Sequence, residues 1–240
     1  MSDTLDQVRH DLALANRILA NEGVLDAFGH VSVRHPADAD RYLLSRSCSP
    51  ELVEPADILE FTLDSAPVRP AGGQLYRERV IHGCVYQARP DVNAVVHCHA
   101  PALMPFCVSG VEIVPVWQHG AAMGAKVPFW DQRDEFGDTN LLIVQPEEGR
   151  SLARALGPYW GVLLRRHGAV IAGRSLRELV FRSIFFCVNA EFQRQAQALG
   201  DITTLSPGEI ERAGSISSEQ PGVMERTWEY WKARVEKTEC

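Results

Sequence analysis

The sequence predicts an α/β fold in a single domain. Three observations carry that expectation. Segments with the two-residue period of strands interleave along the chain with segments of helical period. No internal repeat, low-complexity tract or obvious linker divides the 240 residues, a length that fits one large domain or two small ones. Hydrophobic residues make up 45% and charged residues 23%, the balance of a chain able to bury a full core.

The elements follow in order. A helix is expected from Leu5, because Thr4 and Gln7 have capping-box spacing and Leu5, Val8, Leu12, Ala15 and Leu19 recur on one face before Gly23. HVSVR at 30–34, RYLLS at 41–45 and ILEFTL at 58–63 read as strands, with Pro50 and Pro55 between the last two. A helix is expected over 73–88, stopped by Arg89-Pro90 because proline disfavours helix in the residue before it. The valine-rich VNAVVHCH at 92–99 reads as a strand, a short helix follows Pro101, and VEIVPV at 111–116 reads as another strand. Pro146, Glu147 and Glu148 open a helix that ends at Gly157, and GVLLRRHGAVIAG at 161–173 reads as two short strands around a turn at His167-Gly168. Ser175 and Glu178, again at capping-box spacing, start the longest helix, which ends near Gly200. A helical tail is expected from 201 onward. It starts at Ser206-Pro207-Gly208-Glu209, passes a Gly/Ser-rich loop over 213–222, and ends in a helix from Met224 to Val235.

Charge and composition exclude some classes. The formal net charge is -7 with no basic patch, so no nucleic-acid partner is expected. No apolar run has the length to cross a bilayer, so no membrane partner is expected. The N-terminal segment is amphipathic and carries Asp3, Asp6 and Asp11, unlike a signal or transit peptide. The six cysteines (Cys48, Cys84, Cys98, Cys107, Cys187, Cys240) contain no CxxC pair and read as reduced thiols, which places the chain in the cytoplasm.

The chemistry centres on VVHCHAP. In a strand residues i and i+2 share a face, so His97 and His99 project together while Cys98 faces the other way. Two imidazoles on one face are half of a metal site, or else hydrogen-bonded core histidines. His167 adds a third imidazole at a strand end, beside Gly168, where glycine permits close backbone approach. Three histidines leave one coordination position open for water or substrate, as in catalytic metal sites. Glu78 and His82, four apart on the preceding helix, share a face. Glu78 fits a fourth ligand, a general base or a surface acid. His82 reads as a buried, hydrogen-bonded histidine.

FGHVSVRHP, ERVIHGCVYQARPDVNAVVHCHAP and RRHGAVIAG together resemble the class II aldolase/adducin family, which includes fuculose-phosphate aldolases and ribulose-phosphate epimerases. The three segments come in the family's order and spacing and span most of residues 5–200. The resemblance implies a central, mostly antiparallel sheet between helix layers, and a cyclic homotetramer with active sites at subunit interfaces. It implies His97, His99 and His167 as ligands of one divalent metal ion per subunit (Zn2+, Mn2+, Co2+ or Fe2+). Glu78 falls on the family's catalytic acid, which also completes the metal shell.

Departures from the sugar-phosphate enzymes narrow the expectation. Tyr76 and Arg77 stand where aldolases carry a phosphate-binding serine pair, and Gly29-His30 where they carry Gly-Asn. The phosphate-loop position reads SRSCSPE, with Ser45, Arg46 and Ser47 in it. An arginine grips a planar carboxylate through two parallel hydrogen bonds. The pattern GHVSVR, LSRS, YRERVIHG and VVHCH resembles the family's decarboxylase branch, typified by hydroxy-methylpyridine-dicarboxylate and dihydroxyphthalate decarboxylases. The expected substrate is therefore a small hydroxylated aromatic or pyridine carboxylate. Arg46 would orient the carboxylate, with Ser45, Ser47 and Arg77 as further substrate contacts. The cation would stabilise the enolate left by CO2 loss, Glu78 would return a proton, and His30 would deliver a proton or hold the carboxylate. The alternative is an aldolase or epimerase acting on a sugar phosphate or hydroxy-ketone. An adducin-like assembly module and a non-haem iron oxygenase are the remaining rivals.

Overall fold

The valine-rich segment forms β4 (Ala94–Cys98), the central strand of a seven-stranded sheet. The computed structural model describes residues 4–70 and 72–238; Asp3 and Cys240 lie outside the described residues. On one side of β4, the strands β1 (His30–Arg34), β2 (Arg41–Ser45) and β3 (Ile58–Thr62) form an antiparallel meander. On the other side β7 (Gly168–Gly173) and β6 (Gly161–Leu164) continue antiparallel, and β5 (Phe129–Trp130) ends the sheet parallel to β6.

Strand alternation divides the core into two layers. Val31 and Val33 of β1, Ala94, Val96 and Cys98 of β4, and Ala169 and Ile171 of β7 face one side. There they meet α1 (Leu5–Asn21), α6 (Leu176–Leu199) and α8 (Pro221–Thr238). Tyr42 and Leu44 of β2, Val95 of β4, and Val170 and Ala172 of β7 face the other, against α2 (Val80–Ala88) and α5 (Pro146–Leu156). The fold is thus a single α/β domain with a mostly antiparallel sheet between helix layers. The helix starts follow their caps. Thr4 and Ser175 accept the Gln7 and Glu178 amides, while Gln145–Glu148 and Ser206–Glu209 form reciprocal boxes. At Ser175 the box is only half made, because the Glu178 carboxylate turns to the Arg174 amide and to the buried Arg182.

Three expectations are corrected. Residues 111–116 are extended but join no sheet. The side-chain amides of Asn189 and Gln193, one turn apart on α6, pair with that backbone instead: Val116 N–H and Val114 C=O bond to Asn189, Val114 N–H and Glu112 C=O to Gln193. A helix face thus stands in for a neighbouring strand. The helix expected over 73–88 begins only at Val80; before it Arg77–Arg79 is a single tight turn, with Glu78 in non-helical backbone at φ -88°, ψ 15°. The Gly/Ser-rich stretch 213–222 is not a loop: α7 (Pro207–Glu219) runs through it and α8 begins at Pro221. Gly214 is there for approach. A β-carbon on it would lie 3.2 Å from the Ala121 carbonyl oxygen, in the turn Gln118–Met123 that α7 packs on.

Short elements β5, α3 (Met104–Ser109) and α4 (Arg133–Phe136) complete the chain. Among the described residues no helix is long and apolar enough to cross a membrane. Cys48, Cys84, Cys98, Cys107 and Cys187 are free thiols.

Candidate metal centre

Sheet register brings the site together. His30 of β1 sits opposite His97 of β4, and His97 opposite Val170 of β7. His99 follows one residue past the end of β4, and His167 immediately precedes β7. The approach of β7 to β4 is too close for any side chain at Gly168, whose added β-carbon would lie 2.2 Å from the Cys98 carbonyl oxygen and 2.9 Å from the His99 ring. Arg166, in the β6–β7 turn, is forced to φ 56°. From the opposite side the tight turn before α2 projects Glu78, whose Oε1 accepts the Ile143 amide at 2.9 Å.

Glu78, His97, His99 and His167 each offer one ligand atom, all within 4.8 Å of one another. Glu78 Oε2 lies 3.7 Å from His97 Nε2, and Oε1 lies 3.6 Å from His167 Nε2. His97 Nδ1 meets the Ala169 carbonyl at 3.2 Å, and His99 Nδ1 meets the Asp26 carboxylate at 3.1 and 3.2 Å. Those oxygens only accept, so both Nδ1 atoms carry a proton, and in the neutral rings that ligate a metal both Nε2 atoms present lone pairs. The two Nε2 atoms face each other 3.1 Å apart. Two lone pairs so placed repel unless a cation lies between them. A tetrahedral zinc, at about 2.0–2.1 Å from each nitrogen, would hold them about 3.3 Å apart. The donor set therefore fits a divalent metal ion, and the outer hydrogen bonds fix the imidazoles as in metal sites generally.

Burial favours the neutral form of His97 and His167, as ligation requires. It holds His97 well below its usual value, helped by the neighbouring imidazoles, and brings His167 down to about 4. Burial raises Glu78, opposed by the Ile143 amide. At Asp26 burial raises the carboxyl, but the Phe28 and Gly29 amides and His99 outweigh it and hold it below its usual value.

The cluster forms part of the wall of a cavity of about 510 Å³ lined also by His30, Ser47, Cys48, Tyr76 and Arg77. Phe28, Leu75 and Leu142 supply its apolar surface. Of the residues singled out in the sequence, His30, Ser47, Arg77, Glu78, His99 and His167 line it, and His97 lies behind them, fully buried. Ser45 is buried at the end of β2, outside the lining. Arg46 is also outside it; its Nε donates to Asp57 at 2.6 Å and its backbone amide to the Asp57 carbonyl. His82 is fully buried and hydrogen-bonded through both ring nitrogens, as expected. Tyr76 is marked in the sequence only as a departure from the aldolase serine pair, and Phe28 and Asp26 are not singled out by it, since each reaches the site through tertiary packing.

Residues 10–193 match the family model described as Class II Aldolase and Adducin N-terminal domain. The chain belongs to this family. It is 34% identical over 241 aligned positions to Decarboxylase tropJ of Talaromyces stipitatus, covering 91% of this chain and 90% of that one. It is 29% identical to the 3,4-dihydroxyphthalate decarboxylase of Arthrobacter keyseri, covering 80% and 79% of the two chains. Among solved structures, an aldolase II superfamily protein from Pseudomonas syringae superposes with a TM-score of 0.81 at 21% identity, over 99% of this chain and 95% of that one. That likeness confirms the fold.

Proposed function

We propose that this protein is a metal-dependent decarboxylase of a hydroxylated aromatic or heteroaromatic carboxylate. It would hold one divalent cation through His97, His99, His167 and Glu78. Family membership and the decarboxylase relatives make it a carbon–carbon lyase. The observation that carries the metal-dependent reading is the facing Nε2 atoms of His97 and His99, 3.1 Å apart, grouped with His167 and Glu78 beside the cavity.

When bound, the cation supplies Lewis-acid stabilisation of the negative charge that develops on a substrate oxygen as CO2 leaves. The chain's own residues do the rest. Arg77 lines the cavity with an exposed guanidinium and makes no hydrogen bond or ion pair among the described residues, so its fork is free for the substrate carboxylate. Arg46, committed to Asp57, supports the loop that carries Ser47 and Cys48. Phe28, Leu75 and Leu142 give an aromatic ring an apolar surface. The ring–carboxylate bond breaks, its electron pair stays with the ring, and one proton must take the place of CO2. Glu78, anchored through Oε1 by the Ile143 amide, would complete the metal shell only until substrate arrives; released from it and protonated, with burial raising its carboxyl, it would return that proton through Oε2. A homotetramer, supported by family membership and tested by light scattering, completes the reading, and the free thiols support a cytoplasmic location.

The functional test is CO2 release from a panel of ortho-hydroxylated benzoates and pyridine carboxylates, with manganese, zinc or cobalt. Release that requires both metal and His97 is expected. Metal-loaded protein that releases CO2 from none of the acids but cleaves a hydroxy-ketone would replace this reading with an aldolase.

A further inference from the structure

His30 lines the cavity, and its Nδ1 is directed at α2. That atom lies 2.6 Å from His82 Nε2. His82 Nδ1 lies 2.6 Å from Ser32 Oγ, and Ser32 Oγ lies 2.8 Å from the Tyr86 hydroxyl. The four residues come from β1 and α2, where His30 and Ser32 share one strand face and His82 and Tyr86 one helix face. All are at most 1% exposed, so every proton along the chain needs a protein partner.

Such a chain can run in two directions. If it runs outward, His30 Nδ1–H donates to His82, His82 Nδ1–H to Ser32, and Ser32 to Tyr86. The Tyr86 proton then needs an acceptor. Among the described residues its hydroxyl has one hydrogen-bond partner able to accept, Ser32 Oγ, which in this direction is already the donor. The other polar groups that act on Tyr86 are the Val95 amide, a donor that lowers the phenol's pKa, the Arg34 guanidinium, 4.8 Å over its ring, and Tyr42, whose hydroxyl is taken up with Ser65 and the Arg79 carbonyl and makes no hydrogen bond to Tyr86 among the described residues. Running outward therefore strands a buried hydroxyl proton.

Running inward strands nothing. Tyr86 donates to Ser32, Ser32 donates to His82 Nδ1, and His82 Nε2–H donates to His30 Nδ1. The remaining His30 proton must then sit on Nε2, the ring nitrogen left for the cavity. The cost of the stranded donor favours this direction by roughly ten- to a hundredfold.

We propose that Tyr86, Ser32 and His82 form a one-way hydrogen-bond chain that holds His30 as its Nε2–H tautomer, so that His30 meets the substrate as a hydrogen-bond donor. Tyr86, Ser32 and His82 are positioning residues, and His30 is the group that touches substrate. The role given to His30 rests on the cavity being the substrate site; the direction of the chain does not. A donor at that point suits an anionic oxygen, either the carboxylate or the ring oxygenate, and leaves proton abstraction to other groups. It also gives a physical reason for a histidine at position 30, with His82 behind it as a donor.

Neutron diffraction from deuterium-exchanged crystals of the zinc-loaded protein reads the chain directly. The expected result is deuterium on Nε2 of both His82 and His30, and on the Tyr86 oxygen directed at Ser32. Deuterium on Nδ1 of both rings would overturn the proposal, whatever the substrate proves to be. Tyr86→Phe is the matching variant. It keeps the ring, removes the directing proton and lets both directions coexist. Side-chain 15N spectra should then show the His30 and His82 tautomers mixed, with metal content and far-UV spectrum unchanged. A Tyr86→Phe protein whose two rings remain fully Nε2-protonated would show that Tyr86 does not set the direction. If the tautomers are as proposed and no acid is decarboxylated, the functional reading fails while the chain stands.

Discussion

Gly168→Ala tests whether the close approach of β7 to β4 builds the metal centre. A β-carbon at position 168 would sit 2.2 Å from the Cys98 carbonyl oxygen, 2.9 Å from the His99 Cδ2 and 3.2 Å from the Cys98 carbonyl carbon. Two of these three contacts are to backbone at the end of the central strand, which has no rotamer to change. To restore ordinary contact the strands must part by roughly 1 Å, in a core packed as densely as a crystal. Overpacking of this kind costs about 1–3 kcal/mol. Metal geometry tolerates only about 0.2 Å in ligand distances. The displacement falls between His99 and His167, so metal affinity should drop by about 10- to 100-fold, the range seen when ligand orientation is lost. Urea unfolding of the metal-free protein reads the first effect, and zinc competition against a chelator reads the second. Gly208→Ala is the control, because its β-carbon meets nothing within 4 Å. A Gly168→Ala protein with wild-type stability and zinc affinity would refute the reasoning.

Other expectations follow from the same geometry. Arg77→Gln should raise KM for the carboxylate substrate by about 10-fold or more through loss of a charge-assisted pair. Arg46→Gln, whose partner is Asp57, should change KM much less; the reverse ranking in steady-state kinetics would reassign the carboxylate contact. Asn189→Ala removes the side chain that bonds Val114 and Val116 and should destabilise the fold by about 1–3 kcal/mol in urea unfolding. Among the five described cysteines, Cys48 is half-buried at the cavity and the other four are buried, with burial pushing Cys98 and Cys107 up to about 12. Iodoacetamide mapped by mass spectrometry should modify Cys48 first of these, and more slowly when substrate is bound.

Much of this was legible because it depends on local pattern. The valines around His97 marked β4, and the two-residue period showed that His97 and His99 share a face while Cys98 enters the opposite core layer. Gly168 beside His167 signalled a close approach that the β7–β4 packing displays. The errors arose where a distant partner overrides local pattern. VEIVPV at 111–116 alternates like a strand, but Asn189 and Gln193 take its hydrogen bonds. Gly214 resembled a loop residue, whereas its missing side chain lets α7 pack on Ala121. From the sequence, Arg46 ranks ahead of Arg77 on the carboxylate, because the Asp57 contact that holds Arg46 outside the cavity lining is not legible there. The Tyr86–Ser32–His82–His30 chain was invisible for the same reason: each of its hydrogen bonds joins β1 to α2 across fifty or more positions.

The central claim is that the histidine–glutamate cluster holds a divalent ion. The most direct measurement is calorimetric titration of chelator-stripped protein with zinc and manganese, beside His97→Ala. One ion per chain is expected for the wild type, with loss of that site in the variant, whose fold should survive. Absence of binding to the wild type, or equal binding by His97→Ala, would contradict the claim.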